Sequence, residues 1–337
     1  MFSNRPLLAT ASDLPFYVSS PEREQFVAAL QKGQHALLIG APGEGKTTLL
    51  RSAERELRDA RLPVAYVGLP GIADVGEALA WIYRAVAREG WFPEPDPSLL
   101  DALIDRAAPW APLEALRALS AAPPSARILL DDVSAGVGQA LFGRLRDELW
   151  QLSIVWGVGI VEHEAGALLT PPADAFFERR IKLRPLDDHQ RVQLIERRNT
   201  AGGDTLSAME IDRLGREGPG NPRQLVAYAR ELAEQSPLRA NDLIRARDRR
   251  RELAEKAGGR AGGMLVSELE GLGPVSASDE TLLSRLGWTR PRAADVLAKL
   301  EDEGVVTAHL EPREGRAGRP RKLYELRPPS EFLRRIP

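Results

Sequence analysis

The chain has 337 residues, a formal net charge of −2 and no cysteine. That length exceeds one ordinary domain of roughly 100 to 200 residues and predicts two or three, while the lack of cysteine excludes disulfide scaffolds and thiolate metal sites. Near-neutral charge excludes a uniformly basic nucleic-acid coat but leaves room for a local basic patch. Hydrophobic residues at 43% and charged residues at 28% place the chain with folded globular proteins rather than disordered ones. Residues 1–20 carry Asp13, Pro6 and Pro15 instead of a basic, apolar leader, and no apolar run approaches the roughly 20 residues that span a bilayer. The expectation is a cytoplasmic protein with no membrane segment.

The first predicted helix covers residues 20–30, with Ser20 as N-cap, Pro21 in the first turn and Glu22 and Glu24 near the positive end of the dipole. A short apolar strand over 35–39 then runs into Gly40-Ala41-Pro42-Gly43-Glu44-Gly45-Lys46-Thr47, which fits G-x-x-x-x-G-K-[ST] and is followed by a helical pattern from Thr48. Strand, glycine-rich loop and helix are the order a phosphate cradle requires. Glycines let successive backbone N–H groups turn toward phosphate oxygens, Lys46 brings charge to the terminal phosphates, and the Thr47 hydroxyl can ligate Mg²⁺. An ordinary glycine-rich turn has no folding reason for Lys followed by Thr. Gly40, Pro42, Gly43, Glu44, Gly45, Lys46, Thr47 and Thr48 are therefore the candidate contacts for ATP.

A second strand over 63–69 and an amphipathic helix over 75–88 continue a βαβα series. Residues 90–125, rich in Pro and Ala, predict a small helical insertion with pieces at 98–107 and 113–119. Arg127-Ile128-Leu129-Leu130-Asp131-Asp132 is an apolar strand ending in two carboxylates, at the edge where an open α/β sheet binds its ligand. Alone, that pattern equally fits a strand followed by an Asx turn. With the phosphate loop upstream, Asp131 is the candidate Mg²⁺ ligand and Asp132 the group that polarises water. Strands over 153–158 and 180–183 complete the expected fold class: α/β, a five-stranded, mostly parallel P-loop NTPase sheet. An α-helical lid follows, with helices over 188–198, 207–216 and 222–234.

Residues 241–256 hold six basic and four acidic residues and predict a charged connector helix. Helices over 264–271, 278–286 and 290–303, the last capped by Thr289, precede two strands over 305–310 and 322–326. Between residues 313 and 322 lie five basic residues against one acid, on a Gly/Pro loop that cannot serve a core. Arg290 and Arg292 stand in the first turn of the third helix, where cations oppose the helix dipole unless phosphates compensate. Arg290, Arg292, Arg313, Arg316, Arg319, Arg321 and Lys322 are thus the candidate contacts to double-stranded DNA, the wing loop being also suited to a minor groove. A hairpin presenting the same arginines to a protein partner is the competing reading.

The phosphate loop, the Asp-Asp strand, Phe177-Glu178-Arg179-Arg180, Arg184-Pro185-Leu186 and Gly220-Asn221-Pro222-Arg223 together resemble an AAA+ ATPase of the origin-recognition/initiator type and its STAND relatives, over roughly residues 15–235. The last segment resembles a winged helix-turn-helix domain. The resemblance implies domains over 1–186 (ATPase base), 187–256 (lid and connector) and 257–337 (winged helix). It implies that Arg223 reaches the γ-phosphate from the lid and that Arg179 or Arg180 is a candidate arginine finger toward a neighbouring subunit, in a homo-oligomer; such a pair is otherwise a surface salt-bridge feature. Two departures stand out. Asp132 replaces the longer Glu of many members, which implies slow turnover, and the fourth strand lacks an evident polar sensor, leaving Ser153, Glu162 or His163 to serve. The expected function is ATP-controlled binding of duplex DNA, with an ATP-dependent signalling switch or a non-hydrolysing ATP-bound scaffold as the alternatives.

Overall fold

The computed structural model describes residues 16–91, 97–105, 108–202, 205–234, 240–272, 274–311, 321–327 and 332. The chain divides into two compact units that part between Pro185 and Leu186.

In the first unit, α1 (Pro21–Gln31) leads to β1 (Ala36–Gly40), α2 (Lys46–Asp59), β2 (Val64–Gly68) and α3 (Val75–Arg88). The expected insertion is α4 (Pro97–Ile104) and α5 (Ala111–Leu119). Then come β3 (Ala126–Asp131), α6 (Ala135–Gln139), a π-helical turn and α7 (Arg146–Trp150), β4 (Ile154–Val161), α8 (Glu162–Leu168) and β5 (Arg179–Lys182). The five strands form one wholly parallel sheet in the order β2-β3-β4-β1-β5. Its central strands are near-continuous apolar runs because helices cover both faces. Alternation sorts neighbours to opposite cores: Leu37 and Ile128 join Leu79, Ile82 and Leu116 on one side, whereas Leu38 and Leu129 join Phe26, Leu30 and Leu50 on the other. The Ser20 cap forms as expected, its hydroxyl oxygen accepting from Arg23 N at 3.2 Å. β4 runs three residues past the expected end, to Val161, which pairs with Gly40 and so carries the strand level with the phosphate loop.

The second unit opens with α9 (Asp188–Gly202), α10 (Ala208–Glu217) and α11 (Pro222–Glu234). α10 begins with a reciprocal capping box between Ser207 and Glu210. α12 (Ala240–Leu272) is broken at Gly259, whose φ of 58° and ψ of −150° lie in a region open essentially to glycine alone. A Cβ placed on Gly262 would fall 1.9 Å from the carbonyl oxygen of Ala254, eight residues earlier. Eight residues of straight helix span about 12 Å, so the chain folds back at Gly259. The expected connector and the expected first helix of the C-terminal module are therefore the two arms of one hairpin. α13 (Glu280–Leu286), a turn through Gly287, α14 (Arg290–Asp302) and the antiparallel pair β6 (Val306–Glu311) and β7 (Arg321–Leu326) follow. Val275, between α12 and α13, bridges to Tyr324 of β7 with N–H···O bonds of 2.9 and 2.7 Å, adding a third short strand to the pair. Ala246 and Ala254 from the first arm share a core with Leu265, Leu269, Leu297, Leu300 and Tyr324.

Candidate functional site

The phosphate loop joins the end of β1 to the start of α2. Gly43 (φ 82°) and Gly45 (φ 96°) are both left-handed, so any residue with a Cβ would be strained there. Gly45 occupies the N-cap position of α2, no side chain caps that helix end, and the space over Gly45 is open. The dipole of this 14-residue helix favours an anion at that end. Lys46 is 7% exposed, and its ammonium donates to the carbonyl oxygens of Gly40 (2.9 Å) and Ala41 (3.1 Å). The amine is held against the loop. Glu44 bends back so that its carboxylate accepts from Ala41 N at 2.6 Å. Burial pushes its carboxyl pKa up, the Ala41 bond opposes this, and the charge of Glu162 adds to it. Thr47 and Thr48 are half-buried in the first turn.

Asp131 ends β3, one strand away from β1 across β4. It is 2% exposed: Oδ1 accepts from Asp132 N at 3.0 Å and Oδ2 accepts from the Tyr66 hydroxyl at 2.7 Å. Burial first, then the Asp131 charge, drives the Tyr66 phenol pKa far above its usual range, so it remains a donor. Gly159 of β4 makes the approach possible, since a Cβ there would stand 3.2 Å from Asp131 Oδ1 and 2.9 Å from Leu50 of α2. Leu69 N donates to the Asp131 carbonyl (2.9 Å) and Val133 N to that of Gly159 (3.1 Å), which fixes the strand end on both sides. Asp132 is exposed and left-handed, with φ 54°, a conformation that Asp tolerates better than most residues.

The first residue past β4 is Glu162, whose carboxylate ion-pairs with Lys182 at the end of β5. Their charges, with that of Lys46, all act on Glu44. Of the three residues left for a sensor, Glu162 is therefore one that lies beside the loop. Arg179 and Arg180 do not join this cluster. They pair in register with Ala36 and Leu37, at the opposite end of β1 from the loop, about 10 to 13 Å away at 3.3 Å per residue. Both are exposed, Arg179 donating to Gln34 Oε1 (3.1 Å) and Arg180 to the Asp174 carbonyl (2.5 Å).

Arg223 belongs to the second unit, where Asn221 Oδ1 accepts from Arg223 N (3.0 Å) and Gln224 N (3.3 Å) and so starts α11; the Arg223 side chain is exposed. Arg290 and Arg292 are exposed in the first turn of α14, Arg292 stacking 4.9 Å over Trp288. Thr289 takes the N-cap position with extended backbone, but its hydroxyl makes no cap bond, a correction to the expected capping. Lys322 ion-pairs with Glu301 of α14 at 2.7 Å. Arg321 opens β7 opposite Glu311, whereas Arg313, Arg316 and Arg319 lie outside the described residues.

A magnesium nucleotide fits these residues. The uncapped helix end, the open space over Gly45 and the buried lysine suit phosphates. Among the described residues no group of three His, Cys, Asp or Glu could hold a metal ion; Mg²⁺ takes one or two protein ligands plus phosphate oxygens and water. Thr47 and Asp131 are the residues that would hold it. Sequence reasoning missed Tyr66, Arg51 and Lys182 as parts of this site, because nothing in a linear pattern shows which strand and helix residues meet at the sheet edge.

No family model matches the sequence, and no curated protein matches it. Solved structures do. The Walker-type ATPase paby2304 of Pyrococcus abyssi is similar over 99% of both chains, with a TM-score of 0.53 at 15% identity. The Aeropyrum pernix ORC1 protein, solved in complex with DNA, is similar over 94% of this chain and 92% of its own, with a TM-score of 0.48 at 18% identity. The Thermotoga maritima RuvB Holliday junction branch migration motor covers 100% of both, with a TM-score of 0.46 at 15% identity. No helix among the described residues is long and apolar enough to cross a membrane. The strand order, the loop at the head of α2 and the carboxylate at the end of β3 give this chain a P-loop NTPase fold, similar to that of the Walker-type ATPase paby2304.

Proposed function

We propose that the chain binds and slowly hydrolyses ATP with Mg²⁺, and that nucleotide state controls how a C-terminal winged helix engages double-stranded DNA. One observation carries the catalytic half: a buried lysine and two left-handed glycines head an uncapped helix one strand away from a buried aspartate. Loop N–H groups and Lys46 hold the phosphates, Lys46 exchanging its carbonyl partners for phosphate oxygens. Thr47 and Asp131 orient the metal side, and exposed Asp132 accepts a proton from, or orients, the attacking water. Magnesium, when bound, neutralises charge on the phosphates and the leaving group. Arg223 completes the γ-phosphate contacts from the lid. Arg179 or Arg180, remote from the loop of their own chain, serve a second copy's nucleotide in a homo-oligomer.

The DNA half rests on α13, the Gly287 turn and α14 followed by the β6-β7 pair, with Arg290 and Arg292 exposed at the end of α14 that enters a groove in winged helices. The commitment of Lys322 to Glu301 favours the competing switch, in which this surface meets protein. Two measurements decide. Phosphate release from wild type should exceed that from Lys46→Ala by at least tenfold, and equal rates would reduce the site to a scaffold. Anisotropy of a generic labelled duplex should show tighter, salt-sensitive binding with a non-hydrolysable ATP analogue than with ADP. No binding in any nucleotide state would select the protein-facing switch.

A further inference from the structure

We infer that Tyr66, braced by Arg51, is a positioning residue that ties the Asp131 carboxylate to the helix carrying Thr47. The inference rests on the reading of Thr47 and Asp131 as the metal-side pair. Tyr66 is the third residue of β2, in register with Leu129 of β3, two residues short of Asp131. Two residues of strand span about 6.6 Å, roughly the reach of a tyrosine side chain, so the ring lies along the sheet and its hydroxyl meets Asp131 Oδ2 at 2.7 Å. With Oδ1 already accepting from Asp132 N, both oxygens of the carboxylate are held and its plane is set. One lone pair on each remains for water or metal.

Arg51 supplies the second half of the brace. Its guanidinium carbon sits 3.3 Å from the centroid of the Tyr66 ring. Arg51 follows Thr47 by four residues in α2, which puts the two on one face of the helix, a turn apart. Its Nη1 donates to Glu54 at 3.0 Å, while its Nε is buried with no hydrogen-bond partner among the described residues. Ring stacking is thus a principal contact of that group. Helix, guanidinium, ring and carboxylate form a continuous path from Thr47 to Asp131. A phenylalanine would fill the same partly buried position against the core that includes Leu50 and Leu129; what the hydroxyl adds is the bond to Asp131. Outer-shell partners of this kind act on metal affinity, and their loss costs roughly 10- to 100-fold.

The test uses the full chain, a fluorescent non-hydrolysable ATP analogue and a Mg²⁺ titration read by anisotropy, with parallel titrations in EDTA and thermal melts. In wild type, binding should tighten with Mg²⁺, and Asp131→Asn should abolish that gain. Tyr66→Phe should shift the Mg²⁺ midpoint upward about tenfold while leaving binding in EDTA unchanged, and should add nothing in the Asp131→Asn background. Arg51→Met should shift the midpoint in the same direction by less, and the Tyr66→Phe/Arg51→Met double variant should match Tyr66→Phe alone, since one acts through the other. A Tyr66→Phe midpoint within twofold of wild type, with only a lowered melting temperature, would overturn the inference and leave the tyrosine a structural partner. Full additivity of the two variants would overturn the brace. A wild type that binds the analogue with no Mg²⁺ dependence would remove the metal-side reading itself, and this shows before any variant is made.

Discussion

At the scale of single residues, two carboxylates are held where charge is costly. Glu44 lies over the phosphate loop with its pKa raised by burial, and it adds a negative charge beside the place proposed for phosphates. Glu44→Gln keeps the acceptor for Ala41 N and removes the charge. ATP affinity measured by calorimetry at pH 7 should rise about fivefold, equivalent to about 1 kcal/mol. Glu270, in the second arm of α12, has a side chain only 3% exposed. Both its oxygens lack hydrogen-bond partners among the described residues, and Arg251 stands 4.0 Å away. Burial raises its pKa despite the opposing charges of Arg251, Arg247 and Arg250. The folded protein therefore holds this proton more tightly than the unfolded chain does. Its contribution to stability is lost as pH rises from the ordinary glutamate value of about 4.3 through the raised one. Melts of Glu270→Gln over a pH series should show a flatter profile above pH 4.5 and a Tm at pH 7 no lower than wild type.

At the scale of elements, the hairpin in α12 depends on glycine. Composition over 241–272 reads as helix on both sides of Gly258-Gly259, and the reversal is set by a backbone conformation closed to other residues. Close passage of the arms adds a steric requirement at Gly262, where a methyl group would collide with backbone. Gly262→Ala should cost about 1–3 kcal/mol in urea unfolding followed through Trp288, which lies in the core these arms share. Gly263→Ala is the milder comparison, because the Cβ placed there lies 3.2 Å from the Glu255 side chain, which can move.

At the scale of the whole molecule, the proposed function requires that a nucleotide on the first unit alter what the second does with DNA. A tenfold difference in duplex affinity between ATP-analogue and ADP states would correspond to about 1.4 kcal/mol of coupling. If Arg290 and Arg292 both contact phosphates, the Arg290→Ala/Arg292→Ala variant should bind all duplex sequences more weakly. The slope of log K against log salt should then fall by about 2. An unchanged slope would place the DNA contacts elsewhere.

The local pattern of the candidate phosphate site was legible in the chain. Eight consecutive residues state the loop, Asp131 and Asp132 end an apolar run, and both Ser20 and Ser207 announce helix starts, because each of these signals acts over one turn or one strand. The reach of β4 to Val161 and the return of α12 at Gly259 were not legible: apolar residues continue smoothly past the expected end of β4, and Gly258-Gly259 separates two helical stretches without stating that the second folds back along the first. The same holds for the meeting of Arg51, Tyr66 and Asp131. A strand order that sets β3 between β2 and β4, and α2 packed on Leu129, brings residues 51, 66 and 131 within hydrogen-bonding and stacking distance. Sequence by itself determined which groups are candidates for the chemistry, since that depends on residue type and spacing; tertiary structure decided which of them hold one another in place, since that depends on packing between segments far apart in the chain.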